Sequence, residues 1–141
     1  ISKMCSRVGV LYAGRLVEQS TTTDFFARPS HPYSLGLQKA FPNVLRPDDV
    51  LTSIEGYPPD LVDPPPACRF APRCPFAQPR CEEIDPALEP VGPGHRAACL
   101  RKDEMDALRP LADDPATWQR VPAAQASSTG DLAAGHTRVV R

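Results

Sequence analysis

The sequence predicts an α+β fold, on three observations. Two short apolar runs, Val8–Tyr12 and Arg15–Glu18, flank Ala13-Gly14 as the strands of a hairpin flank their turn. Two stretches with helix-start signals follow. Eighteen prolines among 141 residues, about two and a half times average usage, exclude a chain built from long helices or central strands.

The hairpin comes first. Ala-Gly is a weaker turn signal than Asn-Gly. The run Val8–Tyr12 is apolar on both faces, which implies cover on both. No other segment of the chain offers that cover. Together with a first residue that is Ile1 rather than Met, this leads us to expect further sequence upstream.

Thr21 is placed to cap a helical turn containing Asp24, with Phe25 and Phe26 buried behind it and Arg28-Pro29 at its end. Ser30-His31-Pro32 opens a second helix, with Pro32 in the first turn, where a missing N–H costs nothing. Tyr33, Leu37, Ala40 and Phe41 form one apolar face, and Pro42 closes the helix. Gly36 in its middle costs about 1 kcal/mol against alanine. Leu51–Tyr57 reads as a possible strand and Leu100–Leu108 as a helix. Trp118 reads as a local anchor, and the residues after it carry too little apolar content to order.

The prolines and cysteines are clustered. Eleven prolines lie between Pro58 and Pro93, and four of the five cysteines fall in or just beyond that stretch, spaced Cys68-x5-Cys74-x6-Cys81-x17-Cys99. Four cysteines in 32 residues can serve a metal site, a pair of disulfides, or nothing. Disulfides need an oxidising compartment, and no export signal is visible. Zinc usually takes tight C-x2-4-C knuckles, and every gap here is wider. An iron–sulfur cluster tolerates wider spacing when loops wrap it. Arg69, Arg73, Arg80 and Arg96 lie near the thiols in sequence and could offset thiolate charge. Cys5 reads as a buried small hydrophobe, outside this set.

The rest is plainer. His31 reads as a cap or packing residue, His95 as at most a substitute for one cysteine, and His136 as solvated. Glu82, Glu83 and Asp85 form a solvated acidic run. There is no phosphate loop and no dinucleotide fingerprint, so no catalytic centre is visible. Sixteen basic against 17 acidic side chains give a net charge of -1, which speaks against a nucleic-acid partner or an anionic lipid surface. No apolar run approaches the roughly 20 residues of a membrane span.

Tyr12-Ala13-Gly14-Arg15-Leu16-Val17-Glu18, Phe25-Phe26-Ala27-Arg28-Pro29 and His31-Pro32-Tyr33-Ser34-Leu35 occur in this order. Ile54-Glu55-Gly56-Tyr57-Pro58-Pro59-Asp60-Leu61 and Pro65-Pro66-Ala67-Cys68-Arg69-Phe70-Ala71-Pro72-Arg73-Cys74-Pro75 follow, then Cys81 and Gly92-Pro93-Gly94-His95-Arg96-Ala97-Ala98-Cys99. This ordered set, over roughly residues 1–100, resembles the C-terminal part of the ATP-binding subunits of oligopeptide/dipeptide ABC importers. Ser20 and Ala67 stand where that family usually has glycine, and neither is a ligand position.

The resemblance implies a division of the chain. Residues 1–20 would be the C-terminal end of the nucleotide-binding domain, with Ile1–Arg7 the end of a helix. Residues 21–50 would be a helical segment and 51–101 a loop-rich cysteine/proline extension. A short helix (102–118) and a disordered tail (119–141) would follow. The family's phosphate loop, signature motif, catalytic carboxylate and switch histidine all precede the hairpin, so a chain starting here would be inactive alone. ATP and Mg would belong to the intact subunit. The resemblance also implies a [4Fe-4S] cluster on Cys68, Cys74, Cys81 and Cys99, with zinc as the alternative metal. The implied partners are the rest of the nucleotide-binding domain, a partner ATPase subunit and membrane permease subunits, on the cytoplasmic face of the cell membrane. The reading from another class is a stand-alone zinc- or iron–sulfur-binding interaction module.

Overall fold

The computed structural model describes residues 5–40, 51–64 and 66–119. Strands β1 (Arg7–Tyr12) and β2 (Arg15–Thr21) pair antiparallel, with Tyr12 opposite Arg15. The turn residues Ala13 and Gly14 have φ of 48° and 77°. Two successive positive φ values fit a type I′ turn, whose twist matches that of the strands. A register shift between Val10 and Leu11 marks a bulge in β1. The expectation that Ile1–Arg7 ends a helix fails at its described end, because Arg7 already belongs to β1.

Two strands the sequence reading missed complete the sheet. β3 (Glu89–Gly92) and β4 (His95–Ala97) form a second hairpin around Gly94, which has φ of 65°. β4 pairs with β2, Glu18 opposite Ala97 and Gln19 opposite Arg96, giving the antiparallel order β1-β2-β4-β3. Part of the 51–101 stretch is thus regular structure rather than loop. These strands are three and four residues long, and one contains Pro90, so neither shows a legible alternation.

The cover judged absent for the first hairpin comes from within the chain. Val10, Tyr12 and Val17 are buried in one core with Phe70, Phe76, Leu35, Met105, Leu108 and Trp118. The Tyr12 ring meets Tyr33 at 4.7 Å and Phe70 at 5.1 Å between centroids, both edge-on. The opposite face stays open, with Leu11 64% exposed.

Helix α1 (Thr22–Ala27) is capped as expected: the Thr21 hydroxyl accepts from the Asp24 N–H at 3.1 Å. Phe26, however, is 51% exposed. Helix α2 (Pro32–Ala40) buries Pro32, Ser34, Leu35 and Gly36 most fully; of the expected face, Tyr33 and Leu37 pack half-buried against the core and Ala40 is exposed. Phe41 and Pro42 lie outside the described residues. Gly36 selects the face. A Cβ there would sit 2.6 Å from Cδ1 of Ile54 and 2.8 Å from Cζ3 of Trp118, so only glycine admits both.

Leu51–Tyr57 is not a strand. Arg73 takes its backbone instead, donating to the carbonyls of Ile54 at 2.8 Å and Glu55 at 2.9 Å. The expected helix over Leu100–Leu108 forms later and runs further. A 3-10 turn over Lys102–Glu104 leads into α3 (Met105–Leu111), which contains Pro110. Asp114 caps a last turn, α4 (Pro115–Trp118). Trp118 is the expected anchor, buried, with its ring N–H on the Ala112 carbonyl at 2.9 Å. The expected disordered tail, from residue 120 on, lies outside the described residues.

One buried polar pair joins these parts. Glu18 on β2 is fully buried and accepts from the Ser30 N–H at 2.8 Å, just ahead of α2. Its same oxygen lies 2.7 Å from Nε2 of buried His95 on β4. Its other oxygen has no hydrogen-bond partner among the described residues.

Two stability predictions follow from this packing. Gly36→Ala should destabilise the chain by about 1–3 kcal/mol through overpacking, despite alanine's better helix propensity. A thermal melt showing stabilisation would refute the packing argument. His95→Ala should cost about 3–5 kcal/mol, because a buried carboxylate loses its partner. Denaturant titration gives the value, and a loss below 1 kcal/mol would refute the pair's role in holding the seam.

Candidate metal centre

The cysteine segments are folded by short turns that proline favours. Pro72 and Pro79 each sit at the start of a 3-10 turn, Ala71–Arg73 and Pro79–Glu82, where a fixed φ suits the turn. The Cys68 N–H donates to the Cys81 carbonyl at 3.1 Å, bringing the two turns side by side. Cys99 follows β4 directly, so the sheet carries it back to the others.

Cys68, Cys74, Cys81 and Cys99 line one small cavity with His31, Phe70, Phe76 and Arg101. Its free space is about 20 Å³, roughly what one water needs. Cys5 is not part of it. Contrary to the sequence reading, Cys5 is exposed, its sulfur 3.9 Å from the Thr22 hydroxyl.

Backbone N–H groups converge on three of the four sulfurs. Those of Phe70 and Ala71 point at Cys68, that of Phe76 at Cys74, and that of Arg101 at Cys99, the last at 3.3 Å. Such donors favour a thiolate. Burial opposes them and wins in the metal-free chain. It raises the Cys68 and Cys74 thiols and pushes Cys99 up to about 11, and repulsion from neighbouring cysteines adds to this. Cys68, Cys74 and Cys99 are therefore neutral thiols facing donors that suit thiolates. A bound cation would reverse the balance by removing the mutual repulsion.

The expectation of a ready-made metal site needs correction at this point. Among the described residues, no three His, Cys, Asp or Glu side chains are grouped as a metal ion would require. The sulfurs are spread around a shared space rather than gathered to a point. Protonated thiols pack as small hydrophobes with no cation to draw them in. The donor set still fits a soft metal, since the four cysteines line the cavity and no carboxylate does.

The arginines are distributed differently from the expectation. Arg69 donates to the Ala13 carbonyl, Arg73 holds the 54–55 backbone, Arg80 pairs with Glu104, and Arg96 is exposed. The arginine at the thiols is Arg101, which the sequence reading passed over and which also donates to the Phe76 carbonyl at 2.9 Å. A signal existed for the N–H pattern: the sequence carries Cys-x-Phe twice, at Cys68-Arg69-Phe70 and Cys74-Pro75-Phe76.

The two described histidines, His31 and His95, are each engaged in other contacts. His95 belongs to the Glu18 pair. His31 accepts from the Tyr33 N–H at 3.0 Å, and the Ala98 carbonyl lies at its ring. This is the packing role expected of it. Burial lowers the His31 pKa from its ordinary 6.5 to about 3. The unfolded chain therefore takes up a proton below pH 6.5 that the folded chain refuses. Stability should fall as pH drops from about 6.5 toward 3. Melting temperatures across that range should fall more steeply for the unmodified chain than for His31→Gln, and parallel curves would contradict this.

Comparison with known proteins agrees with the motif order. Residues 17–81 match the family described as the oligopeptide/dipeptide transporter, C-terminal region. That span takes in Cys68, Cys74 and Cys81 and ends before Cys99. The chain is 46% identical over 106 residues to a Sinorhizobium fredii protein named "Probable peptide ABC transporter ATP-binding protein y4tR", covering 74% of this chain and 32% of that one. It is 38% identical over 114 residues to the dipeptide transport ATP-binding protein DppD of Bacillus subtilis, covering 81% and 34%. With the oligopeptide transport ATP-binding protein OppD of Escherichia coli it shares 39% over 104 residues, covering 74% and 31%. These relatives are named as ATP-binding proteins of peptide ABC transporters, and the chain belongs with the C-terminal region of that oligopeptide/dipeptide transporter family. It spans about a third of the length of these relatives.

Proposed function

We propose that the chain serves as the C-terminal part of the ATP-binding subunit of a peptide importer, a subunit that couples ATP hydrolysis to uptake. The first hairpin would close the nucleotide-binding domain, and the cysteine-bearing part would be its extension. The remaining partners would be a second ATPase subunit and the membrane permease, with the assembly on the cytoplasmic face. Among the described residues, no helix is long and apolar enough to cross a membrane. This part carries no phosphate loop. Titration calorimetry of the chain with Mg-ATP should therefore show no binding at micromolar concentrations, and binding there would overturn the assignment of roles.

The extension's role would be to hold a [4Fe-4S] cluster on Cys68, Cys74, Cys81 and Cys99. The observation that carries this is one cavity lined by four sulfurs, three of them facing backbone N–H donors. Sequence gaps wider than a zinc knuckle favour a cluster over a single zinc ion, and the turns would have to move apart to admit it, since the present space holds about one water. When bound, the cluster would supply four covalent ties among the turns and the end of β4. The extension's chain already packs Phe70 and Phe76 into the core, so the cluster would tighten this packing rather than replace it.

Anaerobic purification should yield brown protein with iron and sulfide in about four-to-four ratio. Cys74→Ser should lose the colour and become more sensitive to protease between residues 66 and 101, while Cys5→Ser should keep both properties. Colourless protein with one zinc per chain would replace the cluster with zinc. Metal-free protein would remove the site.

A further inference from the structure

Cys68 differs from the other three cysteines in its surroundings. It lines the four-sulfur cavity and also a second, larger one of about 230 Å³. This second cavity is lined by Arg15, Arg69, Asp85, Leu16, Val17 and Phe70, among others. Arg15 and Asp85 form an ion pair, both partly exposed, so the cavity reaches solvent through a polar rim. Cys74, Cys81 and Cys99 do not line it. Of the four, Cys68 is thus the one that faces this larger, solvent-open cavity, while Cys99 is partly exposed elsewhere and Cys74 and Cys81 are buried.

A second observation concerns Cys81. The Cys68 N–H donates to the Cys81 carbonyl at 3.1 Å. The two backbones are therefore in direct contact, the kind of close approach that a disulfide, with Cα atoms roughly 4.4–6.8 Å apart, requires. Both cysteines are free thiols in this structure, and both line the same cavity.

We infer that, in the metal-free chain, Cys68 and Cys81 form a thiol–disulfide couple, entered at Cys68 by small disulfides admitted through the larger cavity. Cys68, in the minor thiolate fraction that burial leaves and that the Phe70 and Ala71 N–H groups favour, attacks one sulfur of the small disulfide, forming a mixed disulfide and releasing one small thiol. The Cys81 thiolate then attacks the Cys68 sulfur, closing the Cys68–Cys81 bond and releasing the second small thiol. Two protein thiols are oxidised and one small disulfide is reduced to two thiols, with both protons passing to solvent or to the leaving thiolates. Oxidation would remove two of the four proposed ligands together. The inference rests on the four-cysteine reading only for that consequence, because the couple itself needs no metal. It makes the centre a site that a disulfide-rich environment closes to metal and a thiol-rich one reopens.

The test uses the full metal-free chain carrying Cys5→Ser, so that the exposed thiol takes no part. It is equilibrated with graded ratios of oxidised to reduced glutathione, alkylated, digested and mapped by mass spectrometry. The expected first product is one cross-link joining the peptides of Cys68 and Cys81, with a mass loss of two hydrogens and with Cys74 and Cys99 still alkylated. Cys81→Ser should stop at a glutathione adduct on Cys68, and Cys74→Ser should still give the cross-link. A first cross-link involving Cys74 or Cys99, or an adduct on Cys81 ahead of Cys68, would overturn the inference. Complete alkylation of all four cysteines under oxidising ratios would do the same. Metal content of the reduced chain is measured separately. A chain that cross-links but takes up no iron or zinc refutes the metal reading alone. One that loads metal but never cross-links refutes the couple alone.

Discussion

The return of the chain onto its own first hairpin is the constraint on which the structure depends. Residues 95–97 lie beside residues 18–19 as strand neighbours, and the Glu18–His95 pair is enclosed at that seam. A carboxylate with one unpartnered oxygen is costly to bury, and it is tolerated only where its neighbours cannot move away. Ser30, donating to the same oxygen, ties the start of α2 to the seam. β4 in turn delivers Cys99 to the other cysteines. The seam thus sets the position of the sheet, the second helix and one of four cavity-lining thiols at once.

Side chains substitute for backbone pairing wherever proline prevents it. Arg73 binds the 54–55 carbonyls and stacks over the Tyr12 ring at 5.9 Å. Arg109 donates to the Pro29 carbonyl at 3.0 Å, and Arg7 to that of Gly94 at 3.2 Å. Each guanidinium presents several donors in a fixed fork, which suits it to segments whose carbonyls have no strand partner. A chain rich in proline keeps its acceptors while losing donors, and arginine makes up part of the deficit.

Local signals carried the parts of the fold that local forces decide. The first hairpin, the Thr21 cap, the Pro32 start of α2 and the anchoring of Trp118 were all readable, because each depends on residues within a few positions. The buried face of α2 was read only in part: Tyr33 and Leu37 pack against the core as expected, but the full burial of Leu35 and Gly36 depends on Ile54 and Trp118 approaching from far along the chain. β3 and β4 were missed for the same reason: their pairing is stabilised by β2, not by their own composition. At the cysteines, identity and spacing marked the four thiols that line one cavity. The distances between the sulfurs, and the part played by Arg101, were set by turns that spacing does not encode.

The aromatic contact between Tyr12 and Phe70 has a consequence for the growing polypeptide. Val10, Tyr12 and Val17 emerge from the ribosome well before the residues that cover them. At 5–20 residues per second, the interval before Phe70 follows Tyr12 is on the order of ten seconds. Throughout it, neither Phe70 nor strand β4 is available to pack on these side chains or to pair with β2. A pause in translation between residues 20 and 70 would lengthen that interval, whereas a pause after residue 97 would not.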